Sequence, residues 1–257
     1  MDHGIVAGFG ALIGRETLDE LRARGFSVVR QDVQRLSPTR VEVLAAELSE
    51  ANITPLWIVG DSDVLEALPD GSLVEWGNEP DIGSMPPADY AETLRLAYGL
   101  ADGRLRLSPG PISNLNERGL DFLRSIIALV PEDMPVAVHR YPRWPGPQRP
   151  HTGFGSRAAE VVALRSIIGT RDLWMTETGY HTGRQRSGFW CWQQSAWTET
   201  QVVEFAAWER DFWRACGASI FCWYQLHDDP RLACADYGIR RADGTWKPVA
   251  DVFEGTL

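Results

Sequence analysis

Leu73-Val74-Glu75-Trp76-Gly77-Asn78-Glu79-Pro80-Asp81 begins as an apolar strand and ends as a polar lip. Pro80 has no backbone N–H to give to a ladder, so regular pairing stops there and Glu79 falls at the strand's C-terminal end. A second segment, Leu173-Trp174-Met175-Thr176-Glu177-Thr178-Gly179-Tyr180, follows the same plan. Strand-forming residues run up to a glutamate, and Gly179 punctuates the turn. If both strands point the same way, Glu79 and Glu177 face one mouth.

The rest of the chain predicts that they do. Strand-like runs occur at 4–9, 27–32, 54–59, 73–78, 105–108, 136–141, 173–177 and 220–224. Between them, 15–24, 38–51, 87–100, 119–129, 156–168 and 199–215 carry apolar residues at helical spacing, and 62–68 allows one short helix. Strict alternation of strand and helix leaves an eight-stranded (β/α)8 TIM barrel or an open doubly wound sheet. A dinucleotide-binding sheet would want Gly-x-Gly-x-x-Gly after the first strand. In Gly8-Phe9-Gly10-Ala11-Leu12-Ile13-Gly14 the third glycine comes one place late. The barrel places all eight strands in one closed sheet and gathers their C-terminal ends at one face, so the prediction is an α/β single domain over 1–257.

Alternation along each strand then assigns direction. Arg30 shares its face with Val28 and Asp32, His139 with Ala137 and Tyr141, and Glu79 with Gly77 and Glu75. Polar groups thus recur on the inner face near the strand ends, where a purely structural barrel would place branched apolar residues.

Composition narrows the function. With 44% hydrophobic and 23% charged residues the chain is that of a globular protein, and no apolar run is long enough to span a bilayer. Met1-Asp2-His3-Gly4 lacks the basic and apolar regions of a secretory signal, so the sequence as written predicts a cytoplasmic protein, or a secreted one were a leader to precede it. A net charge of −10 disfavours phosphate backbones, so nucleic acid and membrane are not expected partners and a neutral ligand is. Arg140, Arg143, Arg149, Arg184 and Arg186 fall in two loops, where they read as solvated charges or as contacts to an acidic sugar. Cys191, Cys216, Cys222 and Cys234 form no C-x-x-C pair and are taken as free thiols, although Cys191 and Cys234 lie in segments that could approach each other.

Two carboxyls flanking a sugar bond can divide the labour of glycoside hydrolysis between a protonated acid and an ionised nucleophile. With Asn78-Glu79-Pro80 on the fourth strand, His139-x-Tyr141 on the sixth, Glu177 on the seventh and Trp223 on the eighth, the chain resembles glycoside hydrolase clan A, retaining β-glycosidases built on (β/α)8 barrels. Within the clan it looks most like members related to families thirty-nine and five. The closing Tyr237-Gly238 and Asp243-Gly244-Thr245-Trp246-Lys247-Pro248 resemble the clan's final strand-to-helix connection.

The resemblance implies a carbohydrate substrate, no metal and no organic cofactor, with Glu79 as acid/base and Glu177 as nucleophile, about 5 to 5.5 Å apart. By the same resemblance Asn78 bonds the sugar 2-hydroxyl, Tyr141 orients the nucleophile, Arg30 keeps it ionised, His139 faces the ligand and Trp223 forms a platform under the sugar. Glu75 reads as structural support paired with an inward arginine. Of the 11 tryptophans, Trp144, Trp190, Trp192 and Trp197 are weaker candidates for further sugar contacts. Two other readings are a metal-dependent hydrolase on the same barrel and a non-catalytic carbohydrate-binding barrel. The scattered histidines His3, His139, His151, His181 and His227 offer no His-x-His on the first strand, which weighs against the metal enzyme. The sequence assigns neither sugar, linkage nor oligomeric state.

Overall fold

The computed structural model describes residues 1–7, 13–141, 146–182, 197–229 and 235–254. Gly8 and Gly10, Arg143, Trp144, Arg184, Arg186, Trp190, Cys191, Trp192 and Cys234 lie outside the described residues. Among those described, eight parallel strands alternate with seven α-helices. The strands are β1 (Asp2–Val6), β2 (Val28–Asp32), β3 (Thr54–Val59), β4 (Leu73–Trp76), β5 (Arg106–Pro109), β6 (Val136–His139), β7 (Leu173–Thr178) and β8 (Ala218–Trp223). The helices are α1 (Arg15–Ala23), α2 (Pro38–Glu50), α3 (Ser62–Ala67), α4 (Pro87–Ala101), α5 (Glu117–Ile127), α6 (Arg157–Ile168) and α7 (Glu199–Ala215). No helix among these residues is long and apolar enough to cross a membrane.

Helix starts follow local chemistry. The side chains of Ser37, Asp61, Asn116, Ser156 and Thr198 accept from the first turn of α2, α3, α5, α6 and α7, and Gln201 returns the bond to Thr198. The cap at Asn116 starts α5 two residues before the apolar periodicity predicts. β4 stops at Trp76 rather than Asn78 because Gly77 (φ +83°) and Glu79 (φ +48°) leave the extended region.

Two apolar layers result. Val6, Val28, Leu56, Leu73, Ala137, Trp174, Ile220 and Cys222 fill the barrel interior, while a larger shell including Ile5, Trp57, Val74, Met175 and Phe221 packs the strands against the helices. The ladder runs β5-β4-β3-β2-β1-β8-β7-β6, so hydrogen-bonded pairing is continuous except between β5 and β6. There the barrel closes by other means. Ser108 Oγ accepts the Ala137 N–H at 2.9 Å, and just beyond β5 the Ile112 carbonyl accepts the His139 N–H at 2.9 Å.

This seam predicts a measurable weakness. Ser108→Ala leaves the buried Ala137 N–H without its acceptor, a loss of about 1–3 kcal/mol. Thermal unfolding should show a Tm lower by several degrees, at roughly 2–4 °C per kcal/mol for a chain of this size. An unchanged Tm would mean that the seam bond contributes nothing.

Candidate active site

Arg30, near the end of β2, is the hub of the mouth. Its Nε donates to Glu75 Oε2 at 2.6 Å, Nη1 to Glu177 Oε1 at 2.5 Å and Nη2 to Asn78 Oδ1 at 2.8 Å. The guanidinium is almost fully buried, and its pKa is raised. Burial opposes the charge, but Glu75 and Glu177 outweigh it. Burial pushes Glu75 upward against the pull of Arg30. Glu75 is therefore the support predicted from sequence, and the pair is buried together because either charge alone would be costly. Because Arg30 can only donate, it fixes the Asn78 amide with oxygen inward and leaves its NH2 to the cleft.

Tyr141 OH donates to the second Glu177 oxygen at 2.5 Å. Burial and the neighbouring Glu177 push the phenol well above its usual pKa, so it remains a donor. Glu79 approaches from the other side, with Oε1 2.9 Å from His139 Nδ1. One oxygen of Glu79, one of Glu177 and a ring nitrogen of His139 all lie within 4.8 Å of one another. Burial raises the Glu79 pKa, with Arg30 opposing. His139 Nδ1 also stands 3.6 Å from Glu177 Oε2, so the imidazole is shared, and the two acids differ in that Glu177 accepts bonds from a cation and a phenol whereas Glu79 does not.

Local structure holds this arrangement. Between Met175 and Thr178 the pairing of β7 with β8 slips, and β6 pairs His139 with Glu177 directly after Val138 with Met175. This bulge allows consecutive residues to serve the interior, since Thr176 lies beside Glu75 and lowers its pKa while Glu177 meets Arg30. Glu79 sits at φ +48°, ψ +55°, left-handed geometry that Asn52 and Asp102 also adopt but which suits a glutamate less well. It is held there from the next turn, where buried Asp81 accepts the Ser113 N–H at 2.8 Å and its hydroxyl at 2.6 Å. Strain kept at such a position is characteristic of functional sites.

The structure brings Arg30, Asn78, Glu79, His139, Tyr141 and Glu177 together. Trp223 is not among them. Its indole is fully buried, stacked on Tyr180 at 5.9 Å and packed on Phe253, outside the barrel wall. The sugar platform expected there is corrected: on β8 the interior face belongs to Ile220 and Cys222, and Tyr224 follows them to the mouth. Alternation along β8 accounts for this: with Cys222 inside, Trp223 faces out. Trp197 is likewise buried, against Tyr180 and Phe205.

His139 needs a different correction. Its ring is fully buried, so it reaches the Glu79 carboxyl rather than presenting a face to a ligand. The loop reading of Arg140 also fails, for it is fully buried. Its Nη2 donates to the Arg149 carbonyl at 2.6 Å, and its guanidinium lies beside Glu160 and Glu209, which Arg157 also pairs. The Arg140 N–H in turn donates to the Glu177 carbonyl at 2.9 Å, tying that cluster to the strand that carries Glu177. Loop position gave no signal of this, because the partners come from α6 and α7.

Burial holds His139 at a pKa of about 3 and, with help from Arg214, His3 at about 4, so both are neutral when folded near neutrality. The unfolded chain binds these protons near pH 6.5. Their contribution to stability is therefore complete above about pH 6.5 and is lost toward pH 4, by up to ~1.4 kcal/mol per pH unit for each group. Burial-raised carboxyls such as Glu79 act in the opposite sense, so the difference between variants is the clean measure. Urea unfolding from pH 7 to 4.5 should show a shallower loss in His3→Asn than in the parent chain, and parallel curves would contradict the assignment.

Solved structures share this architecture. A family 39 glycoside hydrolase from the gut symbiont Bacteroides cellulosilyticus WH2 matches with a TM-score of 0.72 at 15% identity, over 99% of this chain and 63% of that one. The present chain therefore spans less than two thirds of that protein. A family 17 β-1,3-glucanosyltransferase from Rhizomucor miehei matches at TM-score 0.70 and 13% identity, over 99% of this chain and 98% of its own. A family 30 subfamily 8 xylanase from Clostridium acetobutylicum matches at 0.64 and 11%, over 98% and 70%. No family model matches the sequence, and no curated protein matches it. At these identities the likeness establishes the (β/α)8 fold, one that these glycoside hydrolases use.

Proposed function

We propose that the protein is a glycoside hydrolase that cleaves a β-linked oligo- or polysaccharide with retention of configuration. Glu177 is the nucleophile and Glu79 the acid/base. The observation that carries this reading is the approach of the two carboxyls to within 4.8 Å, in environments that treat them differently. Retaining pairs stand about 5–5.5 Å apart and inverting pairs about 6.5–9.5 Å. That solved glycoside hydrolases share the barrel supports the general activity.

In the first step a Glu177 oxygen attacks the anomeric carbon, the bond to the leaving oxygen breaks, and the Glu79 proton passes to that oxygen. Water then attacks the same carbon, giving its proton to Glu79, and Glu177 departs as carboxylate. Arg30 and Tyr141 hold Glu177 in line. The outward NH2 of Asn78 is set to bond the 2-hydroxyl, a contact that strengthens as positive charge develops on the sugar. His139, neutral and buried, positions Glu79 without competing for its charge.

Proton NMR during cleavage of a β-linked polysaccharide tests the stereochemistry. The first-formed hemiacetal should be the β anomer, and an α anomer at early times would refute Glu177 as nucleophile.

One observation favours a second reading. Glu79, His139 and Glu177 bring donor atoms close enough to share a metal ion. Against it, both Glu177 oxygens already accept short bonds, one from a buried cation that would repel a dication. Metal analysis of the purified protein, with activity measured after chelation, separates the two.

A further inference from the structure

We infer that Asp32 selects the sugar that docks against Glu177, admitting a neutral glycosyl unit and rejecting a uronate. The inference rests on the glycosidase reading above and names the substrate class of that same site.

Asp32 closes β2 on the face that carries Arg30, two residues on. With Arg30, Asn78, Glu177 and Tyr224 it lines a recess of about 20 Å³ beside the nucleophile. Holding one water takes roughly 10–15 Å³, so the recess suits a single hydroxyl-sized group. Asp32 Oδ1 accepts the Gln34 N–H at 3.0 Å, which anchors the side chain and leaves acceptor capacity on the carboxylate. A sugar hydroxyl can donate to that carboxylate in a charge-assisted bond, about twice as strong as a neutral one.

A sugar carboxylate would find the reverse. It has no proton to offer, and it would lie between the acids of Asp32 and Glu177. Arg30, the cation of the recess, is already committed through Nε, Nη1 and Nη2 to Glu75, Glu177 and Asn78. Like charges in contact across an interface cost several kcal/mol, enough for discrimination of about 100-fold or more.

The test uses the whole chain and its Asp32→Asn variant. Asparagine keeps an oxygen for the Gln34 N–H but removes the charge, so it separates selection from anchoring of the turn. Both proteins are assayed on 2,4-dinitrophenyl β-D-glucoside, β-D-galactoside, β-D-mannoside, β-D-xyloside and β-D-glucuronide, and on neutral and polyuronate β-linked polysaccharides. The parent chain should prefer its best neutral probe over the uronate by about 100-fold in kcat/KM, and Asp32→Asn should narrow that ratio by about 10-fold or more. A parent chain that prefers the uronate overturns the inference while leaving the glycosidase reading intact. An unchanged ratio in Asp32→Asn, with all substrates slowed equally, overturns it too and reduces Asp32 to a turn anchor. No turnover of any probe by the parent chain would remove the glycosidase reading itself, and the inference with it.

Discussion

Glu177→Gln is expected to lower kcat on any cleaved β-glycoside by about 10⁴-fold or more, because the proposed mechanism makes the Glu177 carboxylate the group that captures the sugar. The loss has a second cause in this site. The carboxylate accepts from Arg30 on one oxygen and from Tyr141 on the other, both at 2.5 Å. An amide has one acceptor oxygen, so in either orientation its NH2 confronts a donor. Substrate affinity should persist, which also distinguishes an enzyme from a carbohydrate-binding barrel: binding retained with turnover lost is the enzyme's signature. In the unaltered chain, an activated 2-deoxy-2-fluoro-β-glycoside should add one sugar mass to the peptide containing Glu177. Labelling at a different residue, or residual turnover near the parent level in Glu177→Gln, would dismiss the assignment.

Glu79→Gln should divide substrates by leaving group. For a sugar leaving group, which needs its proton in the transition state, loss of the acid should slow cleavage by about 10²–10⁴-fold. A dinitrophenolate leaves without help, so formation of the glycosyl-enzyme should be nearly normal and its hydrolysis slow, giving a burst of phenolate. The pH profile supplies a second readout. Burial raises the Glu79 pKa, so activity that requires its protonated form should fall as pH rises through a value above the usual carboxylate range. That alkaline limb should vanish in Glu79→Gln. Equal losses on sugar and dinitrophenyl leaving groups would make Glu79 a positioning group rather than the acid.

The sequence was readable wherever a rule acted over a few residues. Pro80 and Gly179 place Glu79 and Glu177 near the C-terminal ends of their strands, which the structure shows with one shift: β4 ends at Trp76, where Gly77 leaves the extended region, so Glu79 lies beyond it. Period-two counting put Arg30, Glu75 and His139 inside the barrel, and all three are there. The errors arose where distant segments decide the outcome. The platform role of Trp223 rests on resemblance alone, while its orientation follows from the frame set by Cys222 in the interior. The sequence reads Arg140 as a loop charge because Glu160 and Glu209, which bury it, belong to helices elsewhere in the chain. The bulge in β7 is equally hidden, since it is a slip against β6 and β8 rather than a property of its own residues.

The seam between β5 and β6 carries a consequence for the width of the cleft. Travelling round the wall one way, the strands leading to Glu79 and Glu177 are joined by an unbroken run of ladders through β3, β2, β1 and β8. The other way is shorter, and it crosses the join stitched by Ser108 and Ile112. The jaw that spaces the two acids therefore has a rigid spine and a basted hem. Changes at the hem are expected to alter the spacing of Glu79 and Glu177 without touching either side chain.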